Sequence, residues 1–132
     1  MRRPLFQGIN ALVALATLGL ASLQLVLGVD SPIYGSDALP SLPVLDSNLR
    51  FFGGMGLGLS LVMLWALPSI ERRPDVVLMF WGCAFLGGIG RLVSAASVGV
   101  PSTPMLVFAV VEVFGAPAML LWFRQIGSSS AS

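Results

Sequence analysis

At 132 residues, 56% of them hydrophobic and only 10% charged, with a mean hydropathy of +0.92, the chain carries more apolar surface than a soluble domain of its length can bury, because small domains keep a high surface-to-volume ratio. The net charge of +1 argues against a nucleic-acid footprint. The absence of His excludes a His-ligated haem, a His-dependent metal site or a His-based triad, and the single cysteine, Cys83, excludes an intramolecular disulfide.

Lipid removes the burial problem. A spanning helix needs about 20 mostly apolar residues, and four of them with their loops account for residues 1–132 as one transmembrane domain. The first apolar stretch runs from Leu5 to Leu27, broken by Gln7, Asn10 and Gln24 and preceded by Arg2 and Arg3. A signal peptide would also show a basic start, an apolar core (Ala11 to Leu20) and a small-x-small site at Gly19-Leu20-Ala21. Apolar residues continue past that site, so a retained helix is expected. Residues 29–47 form an external loop with Pro32, Pro40 and Pro43, since proline removes a donor and breaks helices. Tyr34 suits the headgroup level, where amphipathic aromatics are favoured. Asp46, Ser47 and Asn48 suit the N-cap of the next helix.

The second helix spans Leu49 to Leu67 and is ended by Pro68 and the polar Ser69–Asp75 stretch. Its Gly54-xxx-Gly58 spacing reads as a packing face, because glycines let membrane helices approach closely. The third spans Val76 to Val98, with Gly87 and Gly88 as further packing positions and Cys83 as a small packing residue. A chargeless turn, Gly99 to Pro104, leads to the fourth, Met105 to Phe123. There Pro117 frees the Val113 carbonyl and predicts a kink. Residues 125–132 read as a disordered tail.

Four crossings place Arg2, Arg3, Arg72, Arg73 and Arg124 on one side, and the positive-inside rule then puts both termini in the cytoplasm. The expected fold is an all-α, left-handed antiparallel bundle of four transmembrane helices.

Arg91 and Glu112 are the residues that break this apolar pattern. At 1.5 Å per residue both lie about 10–12 Å below the outer face on adjacent helices. An unpaired charge at that depth costs roughly 2.5–3.5 kcal/mol on insertion scales, so such residues face inward and pair. Arg50 enters from the same side, Gln24 offers an amide, and Ser94 lies one turn from Arg91. Gln24, Arg50, Arg91, Ser94 and Glu112 therefore form a candidate cluster. Three readings stay open: an ion pair that sets bundle register, a ligand or lipid-headgroup site, and a contact with a partner protein. Two Arg against one Glu leave a positive charge that suits an anion.

Asn48-Leu49-Arg50-Phe51-Phe52, then Gly87-Gly88-Ile89-Gly90-Arg91-Leu92-Val93-Ser94, Gly99-Val100-Pro101, and Glu112 followed by Pro117 resemble a bacterial four-helix inner-membrane family of unknown function, itself similar to the DoxX-like group. The resemblance covers roughly Gly8 to Trp122. It implies a four-helix bundle with the Arg and Glu positions as a shared polar core, and it implies no activity. A eukaryotic sterol-synthesis scaffold protein has a loosely similar layout, a fold-level analogy for a scaffold role.

Several functions compete. An accessory or scaffold subunit for other membrane proteins, with a partner or a homo-oligomer, is the leading expectation. A binder or carrier of a lipid or apolar anion is the alternative. A proton antiporter of the small multidrug type is disfavoured because its essential Glu belongs in the first helix, which here has no acid. The chain has no evident acid–base or redox apparatus for catalysis on its own, and no cofactor or metal is expected.

Overall fold

The computed structural model describes residues 2–35 and 39–128. Helix α1 (Arg2–Leu27) is followed by two short 3-10 turns, Gly28–Asp30 and Pro32–Tyr34. Helix α2 (Pro43–Ala66) runs into a 3-10 segment, Leu67–Arg72, and α3 spans Pro74–Ser97. The fourth rod is built from α4 (Thr103–Val110), a π-helical turn (Val111–Gly115) and α5 (Ala116–Ser128). Four segments are long and apolar enough to cross a membrane: Arg3–Asp30, Pro43–Arg72, Pro74–Ser97 and Thr103–Ile126. No more than 28% of any span's apolar window is buried inside the protein, so most of that surface must meet lipid. The chain is a multi-pass membrane protein with four apolar helices.

The rods form two hairpins, α1 with α2 and α3 with α4 and α5. They join firmly at the end that carries Arg3, Arg72, Arg73 and Arg124. There Phe6 is buried against Trp122 and Phe123, with ring centroids at 5.4 and 5.7 Å. Met63, Ala66 and Ile70 of the second rod, Val77 and Trp81 of α3, and Met119 and Ile126 of α5 close the same core. A buried hydrogen bond ties the hairpins: the Trp81 indole N–H donates to Asn10 Oδ1 at 2.9 Å, while Asn10 Nδ2 donates to the Phe6 carbonyl at 2.8 Å. Gln7 donates to the Leu67 carbonyl at 2.8 Å, and Arg3 pairs with Glu71 at 3.2 Å. Towards the opposite end the hairpins part. Among the described residues α4 packs on α3 and on the Pro32–Tyr34 turn, and not on α1 or α2.

Several element boundaries differ from the sequence reading. Helix α2 begins at Pro43, six residues before Leu49, with Leu42 extended before it and no side-chain cap. Proline is pre-organised for the first helical position, so Asp46, Ser47 and Asn48 fall inside the helix rather than at its cap. The expected loop 29–47 is shortened accordingly. At the other terminus, α5 continues to Ser128, because Ile126 is buried in the core. Gln125 to Ser128 are therefore helical and not a disordered tail; residues 129–132 lie outside those described. Cys83 is exposed rather than packed.

The packing glycines of α2 are also displaced. A Cβ added at Gly54 would meet only Leu25 Cδ1 at 3.9 Å, and at Gly58 nothing within 4 Å. At Gly53 it would lie 2.5 Å from the Leu25 nitrogen and 2.9 Å from the Ala21 carbonyl oxygen, and at Gly56 it would be 3.1 Å from Ala21 Cβ. The close α1–α2 approach therefore runs along Gly53 and Gly56, with Gly54 at its rim and Gly58 outside it.

Candidate functional site: the Arg91–Glu112 pair

The site lies where the hairpins part. Arg91 stands six residues before the end of α3 at Ser97, and Glu112 nine residues into the fourth rod from Thr103, depths of about 9 and 14 Å from those helix ends. Arg91 Nε donates to Glu112 Oε2 at 2.9 Å. Two local features allow the approach. Gly88, one turn before Arg91, lacks a Cβ that would otherwise lie 2.8 Å from Glu112 Cβ and from Val113 Cγ2. At Gly87 a Cβ would reach Glu112 Oε2 only at an ordinary 3.9 Å. On the facing rod, Glu112 sits in the π turn just before Pro117. Proline has no N–H for the helical ladder, and the backbone responds with the wider π turn in place of the regular, kinked helix expected from the sequence. Single π turns of this kind often mark functional positions.

The rest of the guanidinium is lightly held. Arg91 Nη1 donates to Met105 Sδ at 3.3 Å, and the group lies 5.8 Å from the centroid of the Phe108 ring. Nη2 has no hydrogen bond among the described residues, which leaves two strong donors open. The side chains of Arg91 and Glu112 remain 38% and 24% exposed, so the protein covers the pair only in part.

Of the other candidates, Gln24 reaches this neighbourhood through Tyr34. The Tyr34 hydroxyl oxygen is buried and finds no partner with hydrogen-bond geometry among the described residues. Burial pushes its pKa above the usual value; the nearby Gln24 amide and the Arg91 charge pull the other way. The Ser102 hydroxyl donates to the Tyr34 carbonyl at 2.8 Å, which pins the Pro32–Tyr34 turn to the start of the fourth rod.

Arg50 does not join the pair. Its Nε donates to Asp46 Oδ2 at 2.7 Å, and Nη1 donates to the carbonyls of Leu25 and Val26. Those carbonyls belong to the last turn of α1, where helix geometry leaves acceptors without intrahelical donors. Asp46 also accepts the Val29 N–H at 3.1 Å. Gly28 makes room for this arrangement with φ of 56°, and a Cβ there would overlap the Asp46 carboxylate. The expected surplus positive charge beside Glu112 is thus spent elsewhere. Ser94 is exposed on α3, and its carbonyl accepts the Val98 N–H at 2.8 Å.

Tyr34, Met105 and Phe108 escaped the sequence reading as members of the site, since apolar periodicity does not rank them above their neighbours. The Asn10–Trp81 bond carried a usable signal: an amide inside an apolar run needs a buried partner. Among the described residues, no three His, Cys, Asp or Glu side chains cluster as metal ligands would. A model of a domain of unknown function (DUF4345) matches residues 5–123. No curated protein and no solved structure matches the chain.

Proposed function

The chain belongs to the DUF4345 family, and from that starting point we propose that it binds or carries a lipid or another amphiphilic anion, with Arg91 as the headgroup ligand. The observation that carries this reading is the open guanidinium at membrane depth: 38% exposed, with Nη2 unspent. A pair that served bundle register alone would gain from being closed off, because an ionised group exposed to hydrocarbon is costly. A phosphate or carboxylate headgroup supplies the missing acceptors, and Arg is suited to such groups by its planar fork of donors.

The proposal carries with it a left-handed bundle in a bacterial cytoplasmic membrane, DoxX-like in kind, with both termini cytoplasmic. The Arg residues gathered at one end support that orientation. Native mass spectrometry of protein extracted gently from its own membranes tests the binding. A small molecule should accompany the wild type and be lost from Arg91→Ala at unchanged helix content. Equal ligand content in the two proteins would sink the reading.

One observation favours a second role. Gly58 is open on α2, and Gly54 one turn before it meets only the tip of Leu25, a small-residue face of the kind that admits another membrane helix. That is the accessory-subunit reading, and a second protein at fixed stoichiometry in the same spectrum is its signature.

A further inference from the structure

Charge counting at the pair extends the proposed binding to the ion that must accompany the ligand. Arg50 is committed to Asp46, and Arg3 to Glu71. Arg91 and Glu112 are left as a balanced couple, one cation and one anion. An amphiphilic anion that takes the open side of Arg91 puts two negative charges on one guanidinium inside the membrane, where interactions between charges are far stronger than in water. Among the described residues no second cation is placed to compensate. The π turn packs on α3, α4 and α5. In the nearby half of α3 the charged group is Arg91; α4 has none, and the charged residue of α5 is Arg124, three turns beyond Glu112. The Pro32–Tyr34 turn over α4 brings the neutral Tyr34 hydroxyl, and α1 the neutral Gln24 amide.

We propose that the site binds a monoanionic amphiphile together with one proton, taken up by Glu112. In balance, the free anion and one proton add to the Arg91–Glu112 ion pair and yield an Arg91–anion ion pair beside a neutral Glu112 carboxylic acid. The one bond formed is the O–H on Glu112, and no net charge enters the membrane. The acid is then a hydrogen-bond donor towards the headgroup it has made way for. Tyr34, whose hydroxyl feels the Arg91 charge, and the Gln24 amide beside it supply further neutral polar groups. The inference rests on the proposed binding function and specifies its ligand class and coupling.

The test uses a long-chain alkyl sulfonate, which stays monoanionic across the pH range, and the full-length protein in zwitterionic nanodiscs. Wild-type affinity should rise by about ten-fold for each unit of falling pH over the linked range, the slope expected for one proton. The Glu112→Gln variant should bind with no such slope, since it is neutral already. Calorimetry on the wild type in two buffers of different ionisation enthalpy counts the proton directly and needs no variant to fold; uptake should be close to one per sulfonate. Sulfonate binding with no proton uptake overturns the coupling and leaves the binding function standing. Equal pH slopes in wild type and a folded Glu112→Gln do the same. No sulfonate binding at any pH overturns both. Methanesulfonate should fail to compete; equal competition by this short anion would overturn the amphiphile as ligand class.

Discussion

Arg50 and Arg91 each meet a carboxylate, but the carboxylates come from different places. Asp46 is one helical turn before Arg50 on the same helix, so that pair forms locally and leaves Nη1 to cap α1. Glu112 is 21 residues from Arg91 and reaches it only through the hairpin. An (i, i+4) carboxylate is available before any tertiary contact, which is why Arg50 is lost to the site. Tyr34 supplies a prediction at the same scale. As the chain's sole tyrosine, it gives one tyrosinate absorption step. Burial raises its pKa from the ordinary 10.0, so the folded protein should ionise it above pH 10 and the denatured protein near 10. The sign follows by linkage: a raised folded pKa contributes stability fully present below pH 10 and lost as pH rises through the folded value. Thermal stability should therefore fall above pH 10 in wild type, with a shallower fall in Tyr34→Phe. A folded-state midpoint at or below 10 would show that the hydroxyl is not buried.

Helix faces in this chain were hidden from periodicity. When both the lipid side and the protein side of a helix are apolar, the pattern carries little facing information. Gly54 and Gly58 have the recognisable spacing, yet Gly53 and Gly56 carry the contact with α1. Gly53→Ala should destabilise the protein by about 1–3 kcal/mol, the usual cost of forced overpacking, whereas Gly58→Ala should stay within about 0.5 kcal/mol of wild type. Denaturant titration in mild detergent compares them, and the reverse ranking would move the interface. Pro117 is similar in kind. The missing donor was legible, but its outcome is a π turn rather than a simple kink, and Glu112 and Val113 of that turn pack against Gly88 of α3.

Across the whole molecule, stability and openness are segregated. The aromatic core, the Asn10–Trp81 bond and the Arg3–Glu71 pair close one end, and the hairpins separate towards the other, where Arg91 and Glu112 stand. That division suits a protein that holds its helices firmly while admitting a ligand between them. Orientation in the membrane is open to a direct test in a Cys83→Ser background. An impermeant maleimide should label Pro40→Cys in right-side-out vesicles and Asp75→Cys only in inverted ones. The opposite pattern would reverse the topology proposed from the Arg residues.

The sequence by itself determined the medium, the number of crossings, the gathering of Arg at one end, and the need for Arg91 to find Glu112. Each follows from the cost of placing polar groups in hydrocarbon, a cost set by composition and order along the chain. Tertiary structure alone decided which glycines face a neighbour, where Arg50 spends its donors, that Tyr34 lies near Arg91, and that the central ion pair stays open. These depend on rotation about helix axes and on the distance between hairpins. With apolar residues on every face, the one-dimensional pattern holds little information about either.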